Sequence, residues 1–304
     1  MSTPAISVII CSYNRAAYIP LALQSLVDQT AAPAVFETII VDNNSTDNTK
    51  AVCNEFIAAH PQHVIRYYTE TQQGSSFARN TGAAVANGKW LCFMDDDAIA
   101  ATDYIQNIIS FFKNNPQANA MGGRIIPRYI PAKPKWISYH VASLVGNFDY
   151  SKTVTEFAAD RYPLESNMIV AKKDFDAIQG FSTTIPGVKG TLRIGGEGKD
   201  FFFRLKEKGC RVFYDPAVIV EHIVEVVKLT PEYMYRVASG IGRGERVRVL
   251  QVSKLAYYKK LLEYIYKLGG SVVLGTGYAL KGNPSQFWPV IQYRIDAIKG
   301  LLNR

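Results

Sequence analysis

An α/β fold with a mostly parallel, doubly wound sheet is what this 304-residue sequence predicts. Through residues 4–100, short β-branched runs alternate with stretches of helical periodicity, and a polar cluster follows several of the runs instead of interrupting them. Beyond residue 245 the alternation gives way to long helical patterns, so the chain divides into a sheet-containing domain over 1–245 and a helical extension over 246–304.

The elements follow in order. Ile6 to Ile10 is an apolar run closed by Ser12-Tyr13-Asn14-Arg15. Ile19, Leu23, Leu26 and Val27 then recur at i, i+4, i+7 and i+8, one face of a helix. Phe36 to Val41 is a second strand, ended by Asp42-Asn43-Asn44-Ser45-Thr46-Asp47. Thr49–Ala59 reads as a helix, His63–Tyr68 as a strand and Ser75–Ala86 as a helix. Trp90–Met94 is a strand that stops at Asp95-Asp96-Asp97, with a further helix beginning near Thr102. From about Met121 the pattern loosens: Pro127, Pro131 and Pro134, with Arg124, Arg128, Lys133 and Lys135, predict an irregular surface segment. Glycines 180, 187, 190, 195, 196 and 198 mark a second loop region, followed by a helix over Glu197–Lys208 and a strand over Arg211–Val220 that ends at Glu221-His222. Gly240-x-Gly242-x-Gly244 matches a dinucleotide-binding pattern by letter only, since it follows a helix rather than a strand; a turn or chain joint, with Arg243 and Arg246 able to reach anions, fits better.

With 48% hydrophobic and 20% charged residues the chain can bury a sizeable core, and its net charge of +8 favours anionic partners. Nucleic acid is disfavoured by the acidic triplet at the expected cleft. Cys11, Cys53, Cys92 and Cys210 show no CxxC spacing, and Cys11 and Cys92 fall in strands, which predicts packing roles and a reducing compartment. The first residues enter a strand without a basic, apolar leader, so a cytoplasmic location is expected.

In open α/β sheets, ligands sit beyond the carboxyl ends of the strands. The clusters at 12–15, 42–47 and 95–97 all follow strands and should meet at one rim. Each alone would pass for a turn. Three adjacent carboxylates exceed what a helix N-terminus requires, and repel one another unless a cation or hydrogen bonds neutralise them. Mg²⁺ or Mn²⁺, held by one or two carboxylates and by substrate phosphates, suits that charge. A calcium-binding loop at Asp42 is excluded, because its sixth and twelfth positions are Asp47 and Cys53.

Five segments in this order resemble the family 2 glycosyltransferases of GT-A fold: VIICSYNR (8–15), IIVDNNSTDNT (39–49), GSSFARNTGAAVANGKWLCFMDDDA (74–98), GGEGKDFFFRLKEKG (195–209) and YDPAVIVEH (214–222). The resemblance implies inverting transfer of a sugar from a nucleotide-sugar donor, a UDP-sugar by default, to a hydroxyl of a glycan or lipid-linked glycan in bacterial surface polysaccharide synthesis. It implies Tyr13 and Asp42 as nucleobase contacts with Ser12, Asn14 and Arg15 nearby, and Arg79 as a donor-binding group. Asp95 falls on the ribose side, Asp96 in the donor site without a defined role, and Asp97 on the metal with His222. Relatives place an aspartate base after the Glu that corresponds to Glu197; here that place is Gly198. Glu197 or Asp200, three apart on one helix, would then take the acceptor's proton, with Glu197 favoured.

Two other classes remain in view. The glycine at 198 also fits a catalytically impaired homologue that binds nucleotide-sugar or glycan. A sugar-nucleotide pyrophosphorylase should carry a basic glycine-rich loop after the first strand, where this chain has CSYNR. In the extension, Val249, Val252, Tyr257, Leu261, Leu262, Ile265 and Leu268 form an apolar helical pattern interleaved with Lys254, Lys259, Lys260 and Lys267. Packing of that helix on the preceding domain is slightly preferred over peripheral contact with an anionic membrane. Leu268–Leu280 is apolar but too short to span.

Overall fold

The computed structural model describes residues 3–189 and 192–302. In chain order these form β1 (Ile6–Ser12), α1 (Ile19–Val27), β2 (Phe36–Asp42), α2 (Thr49–Ala59), β3 (Ile65–Thr69), α3 (Ser75–Val85), β4 (Trp90–Asp95), β5 (Ala98–Ala100) and α4 (Tyr104–Asn114). There follow β6 (Ala120–Tyr129), α5 (Tyr139–Ala142), β7 (Thr155–Glu156), β8 (Asn167–Ala171), α6 (Lys172–Ala177), β9 (Gly187–Lys189), β10 (Leu192–Ile194), α7 (Glu197–Glu207) and β11 (Val212–Val224). Three long helices, α8 (Pro231–Val252), α9 (Lys254–Leu280) and α10 (Phe287–Leu302), complete the described chain.

The main sheet has the order β3-β2-β1-β4-β8-β6-β11-β5, with β7 on β11. Its first four strands are parallel, as the βαβ pattern requires, and β8 turns the sheet antiparallel on β4. The register aligns Ser12 with Asp42 and Cys11 with Asp95, so three strand ends, each followed by a polar cluster, reach the same edge.

Strand alternation sorts the core onto two faces. Val8, Ile10 and Ile40 pack with Leu23 and Leu26 of α1 and Ile105 and Ile108 of α4, whereas Ile9, Ile39 and Val41 pack with Ala78 and Ala83 of α3 and Phe201 and Leu205 of α7. Each such aliphatic side chain, taken out of water, contributes roughly 1.5–3 kcal/mol. Gly82 sets the α3–β1 spacing: a Cβ there would lie 2.5 Å from Ile9 Cγ2.

The described residues cluster into two compact units. One comprises 1–126, 148–183 and 198–223, and holds the sheet and both cores above; the other comprises 127–147, 184–197 and 224–304. In the second, α8 packs on α10 through small residues, since a Cβ on Gly242 would lie 2.0 Å from the Ala297 carbonyl oxygen and one on Gly300 1.9 Å from that of Ser239. The buried Glu245 pairs with Arg248 at 2.9 Å and Lys260 at 3.6 Å, tying α8 to α9.

Several expectations are corrected. Gly240, Gly242 and Gly244 lie inside α8 rather than in a turn; a Cβ on Gly242 would collide with the Ala297 carbonyl of α10 and one on Gly244 with the Gly195 carbonyl. The irregular segment begins later than Met121, since β6 runs to Tyr129 and carries Pro127. His222 sits within β11, not past its end. Cys11 is partly exposed as a residue, though Cys53 and Cys92 are buried and all four thiols are free. Gly190 lies outside the described residues. Among the described residues no helix is long and apolar enough to cross a membrane.

Candidate active site

The loop after β1 is built by the loop after β2. Asn14, at φ 54°, accepts at Oδ1 from the Thr46 N–H at 2.8 Å, and its own N–H donates to Ser45 Oγ at 2.9 Å. The Arg15 N–H donates to Thr49 Oγ1 at 3.1 Å and that of Ala16 to Asp47 Oδ2 at 3.2 Å. Asn14 therefore stitches the two loops together, since its short amide tolerates a left-handed backbone while bonding locally. Asp42, buried at the end of β2, accepts from the Ser45 N–H at 2.9 Å and the Tyr67 hydroxyl at 2.5 Å.

The acidic triplet starts on the last residue of β4 and turns into β5. Asp97 is held from β11: His222 Nε2 lies 3.1 Å from Oδ1, and the Ile223 N–H donates to the Asp97 carbonyl at 2.9 Å. Arg15 lies 3.8 Å from Asp96 and 3.7 Å from Asp97, a loose pair with each. Burial, then the neighbouring Asp97 charge, pushes the Asp96 carboxyl well above the usual range, against the pull of Arg15. Ser12 Oγ is buried without a hydrogen-bond partner of good geometry, though close enough to Asp96 to favour its charged form.

Asp95, Asp97 and His222 each offer a ligand atom, and the three atoms lie within 4.8 Å of one another. Two carboxylates and an imidazole fit Mg²⁺ or Mn²⁺ with positions left for phosphate oxygens. The adjoining Asp96 is buried among like charges that Arg15 offsets only loosely, which is a second reason for a cation there. Asp95 thus joins the pair expected on the metal, beyond its expected ribose side.

Tyr13 is half-buried on the loop after β1. Arg79, buried in the second turn of α3, stacks 5.3 Å from the Phe181 ring centre, and its charge partly offsets the burial that pushes the Cys11 thiol up to about 12. Glu197 opens α7 and is buried. Asp200, one turn on, receives the Arg204 Nε–H at 2.8 Å, while that guanidinium also donates to the carbonyls of Ile178 and Gly180.

Comparison with known proteins decides the family. The sequence model described as glycosyl transferase family 2 matches residues 7–166. The chain belongs to that family. It is accordingly a glycosyltransferase, and its α/β architecture is the GT-A fold. The glucosyl-dolichyl phosphate glucuronosyltransferase of Haloferax volcanii is 26% identical over 267 residues, covering 84% of this chain and 83% of that one. A PGL/p-HBAD biosynthesis glycosyltransferase of Mycobacterium bovis is 33% identical over 129 residues, 42% of this chain and 49% of the relative. The structure of a mannosyltransferase from Pyrobaculum calidifontis in complex with GDP-Man and Mn²⁺ superposes with a TM-score of 0.67 at 20% identity, over 99% of this chain and 88% of that one; it shows a shared fold.

Sequence reading missed the family 2 enzyme's supporting residues at this rim. Asn43 is buried, donates to the carbonyls of Glu70 and Gln72 at 3.0 and 2.7 Å, and accepts the Gly74 N–H at 2.7 Å, fixing the approach to α3. Tyr67 of β3 supports Asp42, and Glu165, on the turn before β8, accepts the Gly198 N–H at the start of α7. Their signals are single polar residues next to strands, which only pairing across the sheet makes meaningful.

Proposed function

We propose that this enzyme transfers a sugar, with inversion, from a nucleoside-diphosphate sugar to a hydroxyl of a glycan or lipid-linked glycan, as in bacterial surface polysaccharide assembly. The gathering of Asp95, Asp97 and His222 beyond β4, beside the loops after β1 and β2, carries this reading. Asp97 and His222, joined by Asp95, would hold Mn²⁺ or Mg²⁺, and the ion would supply charge neutralisation for the departing diphosphate. Asp95 also reaches the ribose side in this reading, and Tyr13 offers a face for the base, with Asp42 and Ser12 as acceptors at the β1 and β2 ends. Arg15 and Arg79 supply positive charge for phosphate, and Asp96, loosely paired with Arg15, lines the same donor site. Inversion needs an acceptor-side carboxylate; of the two sequence candidates Glu197 is stronger than Asp200, whose oxygen is committed to Arg204.

A relative named for a dolichyl phosphate substrate supports a membrane-borne acceptor for this chain. Residues 1–245 carry 24 basic and 24 acidic side chains, whereas 246–304 carry ten basic and two acidic, so the whole net charge of +8 lies in the helical extension. On α9, Leu255, Leu262, Tyr266 and Val273 are 64%, 67%, 84% and 73% exposed along one helical face, near the exposed Lys254 and Lys259. An apolar stripe with basic flanks suits peripheral contact with an anionic membrane from the cytoplasmic side.

The donor class is tested by thermal shift with UDP-, GDP- and dTDP-sugars, with and without Mn²⁺, followed by donor hydrolysis. Metal-dependent stabilisation by one nucleotide series is expected. No response to any of them would leave the donor reading without support, and binding without turnover would favour an impaired homologue.

A further inference from the structure

Gly198 is the second residue of α7, and its backbone N–H donates to Glu165 Oε1 at 2.6 Å. A Cβ built on Gly198 would lie 2.3 Å from that oxygen and 2.4 Å from the carboxyl carbon. Gly198 is not among the positive-φ residues, so backbone freedom does not explain the glycine. The Glu165 carboxylate occupies the volume that a side chain at 198 would fill.

Glu165 stands on the turn entering β8, whose antiparallel register with β4 runs from Trp90↔Ala171 to Met94↔Asn167. The ladder stops at Met94↔Asn167, so Glu165 stands two residues before β8, on the side of the sheet where β4 ends. The turn is anchored by Asn167, which is fully buried, accepts the Tyr104 hydroxyl at 2.9 Å and donates to the carbonyls of Arg124 and Val218 at 3.0 Å each. Glu165 itself is half-buried. The Glu165 carboxylate thus lies against the first turn of α7, the helix where sequence reasoning looked for a base. Asp200, by contrast, braces α7 through Arg204.

We propose that Glu165 is the carboxylate that takes the acceptor hydroxyl's proton, an inference that rests on the inverting-transferase reading. As the acceptor oxygen forms its bond to the anomeric carbon, its proton passes to Glu165. The bond from that carbon to the diphosphate breaks, and the electron pair leaves with the nucleoside diphosphate. The Gly198 N–H orients the carboxylate through a charge-assisted hydrogen bond.

Glu165→Gln preserves shape and can still accept the Gly198 N–H through its amide oxygen. With UDP-glucose and GDP-mannose as donor probes, it should lower turnover by about 10²–10⁴-fold. UDP or GDP binding with Mn²⁺ should stay within about two-fold and the melting temperature should be unchanged. Glu197→Gln should cost less. In the double variant Glu165→Ala/Gly198→Asp, the vacated space admits the new carboxylate, and turnover should recover at least about ten-fold over Glu165→Ala. Wild-type turnover in Glu165→Gln, a larger loss in Glu197→Gln, or parallel losses of turnover, binding and melting temperature would each overturn the assignment. Wild-type protein that neither transfers nor hydrolyses any donor sinks the transferase reading itself; an active wild type with an equally active Glu165→Gln sinks only the base.

Discussion

His222 Nε2 stands 3.1 Å from an Asp97 carboxylate oxygen, while the next residue's N–H, from Ile223, donates to the Asp97 carbonyl at 2.9 Å. β11 therefore grips the last aspartate of the triplet at both side chain and backbone, and the imidazole arrives from a strand far away in sequence. Replacing His222 by Ala or Asp97 by Asn removes one ligand each without disturbing the β4 core. Each is expected to weaken Mn²⁺-dependent nucleotide binding by at least about ten-fold, or about 1.4 kcal/mol, by calorimetry. Equal binding with and without Mn²⁺ in the wild type would argue against a metal at this cluster.

Asp42 is positioned by Tyr67 as much as by its own loop, through a hydroxyl at 2.5 Å. Tyr67→Phe leaves a buried carboxylate oxygen short of a donor, at a cost of roughly 1–3 kcal/mol. Denaturant titration should show that loss, with a raised KM for the donor and a nearly unchanged kcat if Asp42 serves ground-state nucleotide binding.

Glu37 is buried at the start of β2. It accepts from Ser7 Oγ at 2.6 Å, the Asn87 N–H at 2.7 Å and Arg66 at 2.6 Å. Burial opposes its charge, but these donors outweigh it and hold the carboxyl below its ordinary value. A group depressed in the folded state stabilises above its unfolded pKa and loses that contribution as pH falls through its folded one. Glu37→Gln should therefore destabilise the protein at neutral pH by roughly 1–3 kcal/mol. In acid unfolding monitored by circular dichroism, the gap from wild type should narrow below the ordinary carboxylate pKa of 4.5; a gap independent of pH would contradict the role given to the charge.

Asp200 and Arg204, paired at 2.8 Å one turn apart, brace α7 against the carbonyls of Ile178 and Gly180. Asp200→Asn keeps a neutral acceptor, so a small stability loss, on the order of 0.5–1 kcal/mol, and less than ten-fold loss of turnover are expected. A loss comparable to that of Glu165→Gln would reassign the base to Asp200.

The exposed stripe on α9 predicts lipid binding that depends on both apolar area and charge. Vesicles of phosphatidylcholine with phosphatidylglycerol should float the protein, and phosphatidylcholine alone should not. Leu262→Ser/Tyr266→Ser and, separately, Lys254→Glu/Lys259→Glu should each weaken flotation, the second by about 1 kcal/mol or more per lysine removed. High salt should mimic the charge variant. Flotation insensitive to all of these would remove α9 as the membrane surface.

The sequence by itself determined the parallel half of the sheet and the three clusters beyond it. Both are local: period-2 apolar runs bury on a sheet, helical periods cover it, and polar residues at strand ends cannot be buried by either. The helices over Thr49–Ala59 and from Glu197 could be read for the same reason. Only the tertiary structure decided which carboxylates stand together. Asp97 meets His222 through β11, and Glu165 meets Gly198 because β8 runs back along β4, contacts between residues more than thirty positions apart. Position 198 shows the difference most sharply: in the sequence it is a missing side chain, and in the fold it is space already filled by another residue's carboxylate.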